Sequence, residues 1–481
     1  KHSAAPRSRA DRVSRLHRGG RLLDCQLAVV RAGVAVILVE RSPFRRWIHT
    51  DRPAALPSQD RNRNTSMLRK SHEALFRLML RRCPTSANFG TAATAGSTQQ
   101  RHVYLASRRW CLLHPPRDLV VGRRWAHATT ILHDVDECDT QVAHWPYAER
   151  CVTVTTCADI YRKWRGSRHG YATAPPEGLP VPVTYVHTGM DRVERGRSAG
   201  ASEGDSSDRR RPLVVILSGA PGNYKDFSYL IPYLDRNGCD VVSPVWPDLA
   251  FSRKSGCWWH SSQEKTNLAL DFLRTIGIKE ADMLVAHSSG SYPALRMINN
   301  EHGLKVKSLV LLAPAGHKPI TKMNPHWFPQ LLSWLYMRPG PYQRIVELMG
   351  LAFLTVTRHP LRRNMDNVLL AMKAMLYADK PQLKKDAEAV AARKLPTLVA
   401  ISDNDKLIDL STSLELVPII GGSSDNTWYY DQDKRLKQKG NGNGPVKTLR
   451  FEKGTHYLFT RCADIINPEI LNLLNRTVGR N

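Results

Sequence analysis

ADMLVAHSSGS (281–291) decides the reading of this chain. Ala281–Ala286 is a short apolar run of β type that climbs straight into His287-Ser288-Ser289-Gly290, and a helical pattern follows at once. A serine on a sharp strand-to-helix turn is a nucleophile elbow. The turn needs small residues two before and two after the nucleophile. Ala286 and Gly290 meet that requirement around Ser288, whereas choosing Ser289 would put the bulk of His287 at the first small position. Ser288 is therefore the candidate nucleophile.

A serine hydroxyl is a weak nucleophile. It needs an imidazole to take and return its proton, a carboxylate to orient that imidazole, and amide donors for the oxyanion. PLVVILSG (212–219) reads as a buried parallel strand running into Ser218-Gly219-Ala220-Pro221-Gly222. There the backbone N–H of Ala220, together with that of Ser289, is placed to receive an oxyanion. LPTLVAISDNDKLID (395–409) is a second apolar strand with Asp403 and Asp405 at its end, and VKTLRFEKGTHY (446–457) a third, ending at His456. Asp405, three residues beyond the strand-end Ser402, is preferred to Asp403 as the acid. Ser288, Asp405 and His456 follow one another in the order Ser…Asp…His, each at a strand end.

These motifs give residues 211–481 a resemblance to the α/β-hydrolase superfamily. Within it, the chain looks most like an uncharacterised animal family, mainly from nematodes. SGAPGNYKDFSYL (218–230), AHSSGSYPAL (286–295), LVLLAPAGHKPI (309–320), VAISDNDKLID (399–409) and KGTHYLFTRCADII (453–466) carry the likeness. It implies a doubly wound, mostly parallel sheet and serine-hydrolase chemistry through Ser288, Asp405 and His456, and it supplies no substrate. Many relatives open the oxyanion loop with His-Gly, where this chain has Ser218-Gly219. Many carry a glycine-rich turn after the fourth strand, where it has Pro247-Asp248-Leu249-Ala250-Phe251-Ser252.

Strands alternating with helices support the same fold class. Asp240–Val245 reads as a strand, and Ser261-x-x-Glu264 is a capping box that opens a helix to about Thr275. Residues 317–395 break the rhythm with Trp327, Phe328, Trp334, Tyr336 and neighbouring apolar residues. They read as a helical cap inserted between the elbow half and the acid strand, and an apolar cap over the nucleophile points to a lipophilic acyl ligand. The polar run 423–445 reads as a surface loop.

The formal charge is +27 over 481 residues, unevenly made. Residues 1–150 hold 24 Arg, 2 Lys and 12 acids, whereas residues 211–481 hold 16 Arg and 19 Lys. The segment 1–150 reads as an Arg-rich arm, disordered or a non-native leader. Residues 151–210 read as a transition, with an early strand at VPVTYVHTG (181–189) and a linker over 197–211. The chain starts at Lys1, so its beginning is read as processed or incomplete.

The apolar run 27–40 is too short for a membrane span and is interrupted by Arg31. The acidic patch 133–139 lacks calcium-loop spacing. Nine scattered cysteines without a C-x-x-C pair argue against a disulfide framework and a zinc site, and for a reducing compartment. The expectation is a cytoplasmic, cofactor-free and metal-free enzyme, with a mitochondrial location as the alternative. Its partner would be a small lipophilic substrate. Peripheral membrane contact stays open, and nucleic acid is not expected. Ser288 excludes the related fold members that use an acidic nucleophile. The competing reading is a non-catalytic binding or scaffold protein on the same fold.

Overall fold

A computed structural model of the chain describes residues 145–198, 210–320, 327–338, 341–356 and 365–480. Residues 199–209 of the expected linker, the apolar run 27–40, the acidic patch 133–139 and all of the basic arm before residue 145 lie outside the described residues.

The central strands form because their apolar runs are continuous. β3 (Leu213–Leu217), β5 (Glu280–His287), β6 (Lys305–Leu312) and β7 (Thr397–Ser402) are buried over most or all of their length. This is the pattern of parallel strands covered on both faces. Alternation sends successive side chains to opposite cores. Val215, Leu217, Leu284 and Ala286 enter one core, and Val214, Ile216, Met283 and Val285 the other.

The sheet is completed by β1 (Arg150–Thr156), β2 (Leu179–His187), β4 (Asp240–Pro244), β8 (Thr427–Tyr430), β9 (Leu436–Gln438) and β10 (Val446–Phe451). The strand order is β1-β2-β4-β3-β5-β6-β7-β10-β8-β9. Every neighbour from β4 to β8 runs parallel, while β1, β2 and β9 are antiparallel to their partners. The expected early strand is β2, and a further strand, β1, precedes it. Even the residues just before β1 are packed: Trp145 stacks on Tyr224 at 5.4 Å, and Tyr147 is buried, its hydroxyl donating to Asp235.

The capping box forms as the sequence spells it. Ser261 Oγ accepts from the Glu264 amide, the Glu264 carboxylate accepts from the Ser261 amide, and the helix runs Ser262–Thr275. The 423–445 segment departs from expectation. It supplies β8 and β9 rather than a loop, because Trp428 and Tyr430 fall on one face of an alternating TWYY run and Tyr430 stacks on Phe451 at 5.0 Å. The cap insertion holds helices Trp327–Tyr336, Pro341–Val356 and Met365–Leu376. Within the 317–395 span a further helix, Lys380–Ala392, packs on the body rather than on the cap. Asp386 on it accepts from Arg296 through its side chain and from Asn299 through its carbonyl, both on the helix after the elbow. Cap and body are joined where the Arg253 guanidinium lies 5.1 Å over the Tyr336 ring and 3.7 Å from Asp366.

Candidate active site

Ser288 sits where β5 turns into the helix Ser291–Asn299, with φ 51°, a left-handed conformation that a residue with a side chain rarely adopts. Its carbonyl is pinned by the Ala315 amide at 3.0 Å and the Ser291 hydroxyl at 2.8 Å. Two glycines make the turn possible. A Cβ on Gly290 would stand 2.7 Å from the carbonyl oxygens of both Leu217 and Ser218, and one on Gly219 would stand 2.9 Å from Ser288 Cβ. The oxyanion loop and the elbow thus touch backbone to backbone, which only glycine permits. Ser289, the other candidate in the motif, has an inward hydroxyl that is buried and unpartnered.

The loop after β3 is held by the residues that depart from the usual pattern. Ser218 donates its hydroxyl to the Gly222 carbonyl at 3.1 Å, and its own carbonyl accepts from Trp246 Nε1 at 2.8 Å. Asp248, where relatives carry glycines, caps the helix Leu249–Ser255 by accepting from the Phe251 amide. Among the described residues, the backbone N–H groups of Ala220 and Ser289 are not taken by another acceptor.

The acid and the imidazole meet. His456 Nδ1 donates to Asp405 Oδ2 at 2.7 Å, which leaves Nε2 as the free ring nitrogen. The second oxygen of Asp405 accepts from the amides of Leu407 at 2.7 Å and Ile408 at 3.0 Å. Burial works to raise the Asp405 pKa, but the adjacent His456 and these donors outweigh it and hold the carboxyl below its ordinary range. Asp403 is spent elsewhere, in a two-point pair with Arg450 at 2.7 and 3.0 Å. The loops carrying Asp405 and His456 are laced together: the Gly454 amide donates to Ser402 Oγ and the Thr455 amide to Asn404 Oδ1.

Three loops converge through one residue that sequence reading treated only as bulk. His287 Nε2 donates to the His456 carbonyl at 3.2 Å, and its ring lies 4.8 Å from the rings of both His456 and Phe459. Burial, reinforced by His456, pushes its pKa well down and keeps it neutral. Phe227, just past the oxyanion loop, stacks on Phe459 at 4.8 Å. Among the described residues no hydrogen bond joins Ser288 to His456. In enzymes without ligand such bonds are often long and tighten when substrate arrives.

Residues 212–420 match the family model described as alpha/beta hydrolase fold. With the strand order β1-β2-β4-β3-β5-β6-β7-β10-β8-β9 and the strand-to-helix turn after β5, these residues build an α/β-hydrolase fold. The uncharacterised protein F35H12.5 of Caenorhabditis elegans is 24% identical over 124 residues, 24% of this chain and 35% of that protein. The match therefore spans about a third of that relative. Similar solved structures include a thermophilic esterase from Thermogutta terrifontis, at 12% identity and TM-score 0.41 over 68% of this chain and 99% of that one. The enol-lactonase from Burkholderia xenovorans LB400 shows 12% identity and TM-score 0.38, over 61% and 96%. No helix among the described residues is long and apolar enough to cross a membrane.

Proposed function

We propose that the chain is a cofactor-free serine hydrolase acting on an ester, thioester or amide with a lipophilic acyl part. One observation carries the reading. A 2.7 Å Asp405–His456 hydrogen bond lies beside a left-handed, tightly packed elbow whose turn residue is Ser288, the ring of His287 before it 4.8 Å from that of His456. In this reading His456 Nε2 takes the Ser288 proton as Oγ attacks the acyl carbon, and Asp405 holds the ring with Nδ1 protonated and steadies the imidazolium. The amides of Ala220 and Ser289 receive the oxyanion. The imidazolium then gives its proton to the leaving alcohol, thiol or amine. Water, deprotonated by the same imidazole, releases the acid and restores Ser288.

The test is fluorophosphonate labelling of the full chain beside Ser288→Ala and His456→Ala. Labelling that both variants abolish supports the mechanism. A folded wild-type chain that never labels removes it and leaves the non-catalytic binding protein.

A further inference from the structure

Between the cap and the body lie two lysines the mechanism does not use. Lys265, on the helix Ser262–Thr275, is 2% exposed, and Lys373, on the cap helix Met365–Leu376, is 1% exposed. Neither Nζ has a hydrogen-bond partner. What they meet is aromatic: Lys265 lies 5.3 Å from the Trp246 ring centre, and Lys373 lies 4.2 Å from that of Trp259 and 5.6 Å from that of Tyr377.

The polar groups around them are already engaged. Glu264, the buried carboxylate whose charge both lysines feel, accepts from the amides of Trp259 and Ser261 and the hydroxyls of Ser261 and Tyr161. His260, which feels both lysines, is bonded at one ring nitrogen to Ser252 Oγ at 2.6 Å and at the other to Trp258 Nε1. Ser333, from the cap helix Trp327–Tyr336, adds a buried hydroxyl near Tyr377 that finds no partner of good geometry. An ammonium carries three donors and no acceptor. Two of them, buried without hydrogen-bond partners, cost free energy that an acceptor of opposite charge would recover. The lysine pair also borders the site, since Trp246, the ring beside Lys265, holds the carbonyl of Ser218 at the start of the loop after β3.

We propose that this lysine pair forms an anion subsite, in which Lys265 and Lys373 receive a carboxylate or phosphate that the substrate carries away from its scissile bond. The assignment deepens the serine-hydrolase reading and rests on it for the chemistry: the substrate becomes a lipophilic acyl compound with a remote negative group. Burial draws both lysines down to about 7, so an arriving anion finds groups that it can drive to the charged form.

The test titrates the full chain calorimetrically with glutarate, its neutral counterpart glutaramide and inorganic phosphate. The same protein is assayed on the p-nitrophenyl half-ester of glutarate against p-nitrophenyl butyrate. Glutarate is expected to bind at least tenfold tighter than glutaramide. Lys265→Met and Lys373→Met are each expected to weaken glutarate at least tenfold and to lower the half-ester to butyrate ratio of kcat/KM by a similar factor. Lysine-dependent binding of glutarate or phosphate with an unchanged ester ratio would assign the lysine pair to a free anion and overturn the substrate assignment. A wild-type chain that does not distinguish glutarate from glutaramide overturns the subsite without recourse to the variants. Lysine-dependent glutarate binding in a chain that cleaves neither ester supports the subsite and counts against the hydrolase mechanism instead.

Discussion

Asp403 and Asp405 stand two residues apart at the end of β7 and meet different partners, Arg450 and His456. Replacing Asp405 with Asn frees the tautomer of His456 and should lower acyl-ester turnover on the order of 10³–10⁴-fold. Asp403→Asn should keep full fluorophosphonate labelling and show its effect in stability alone. Asp405 also carries a response to acid. Because the folded-state pKa of Asp405 is lowered, its contribution is complete above the ordinary carboxyl range and lost as pH falls through the folded value. Urea midpoints between about pH 2 and 5 should therefore fall less steeply in Asp405→Asn than in wild type. Asp405 and His456 were legible because each follows an apolar strand at turn distance. The Arg450 pair was not, since it depends on the parallel register that sets Arg450 opposite Ile401. Lys265 and Lys373 were invisible for a similar reason. On an amphipathic helix a lysine reads as solvated, and only the cap closing over the body buries it.

At the scale of elements, the site is a junction of loops held by shape. Gly290→Ala would press a methyl against two carbonyl oxygens of the β3 end and should cost roughly 1–3 kcal/mol, with labelling reduced as the elbow shifts. Phe227→Ala opens a cavity between the oxyanion loop and the helix after His456. It should cost about 3–5 kcal/mol in chemical denaturation, and slow labelling beyond what stability explains. The buried lysines predict the opposite sign. Lys265→Met removes a buried ammonium that has no hydrogen-bond partner and should raise the thermal midpoint at pH 7 by roughly 2–6 °C, read by calorimetry. The alternation of helix and strand through the body was plain in the sequence, and so was the capping box at Ser261. The β8–β9 hairpin was hidden, because charge and glycine surround a strand of only four residues. The helix Lys380–Ala392 read as cap because only its contacts with the helix after the elbow reveal its side of the sheet.

For the whole molecule, a charge of +27 sets a long-range field that favours negatively charged ligands. Raising ionic strength should lower kcat/KM for the glutarate half-ester and leave that for p-nitrophenyl butyrate nearly level, measured side by side in one salt series. The same charge bears on how copies of the chain meet. A sheet rim offers unpaired amides and carbonyls on which another strand can grow. Here the rim beside β8 is β9, three residues long with all three side chains in water, and Lys434, Arg435, Lys437 and Lys439 crowd it. A second molecule bringing its own β9 alongside would gain a ladder of only three residues and would have to crowd the ion pairs of Lys434 with Asp464 and Lys437 with Asp431. The small hairpin thus gives the sheet a terminus that discourages aggregation.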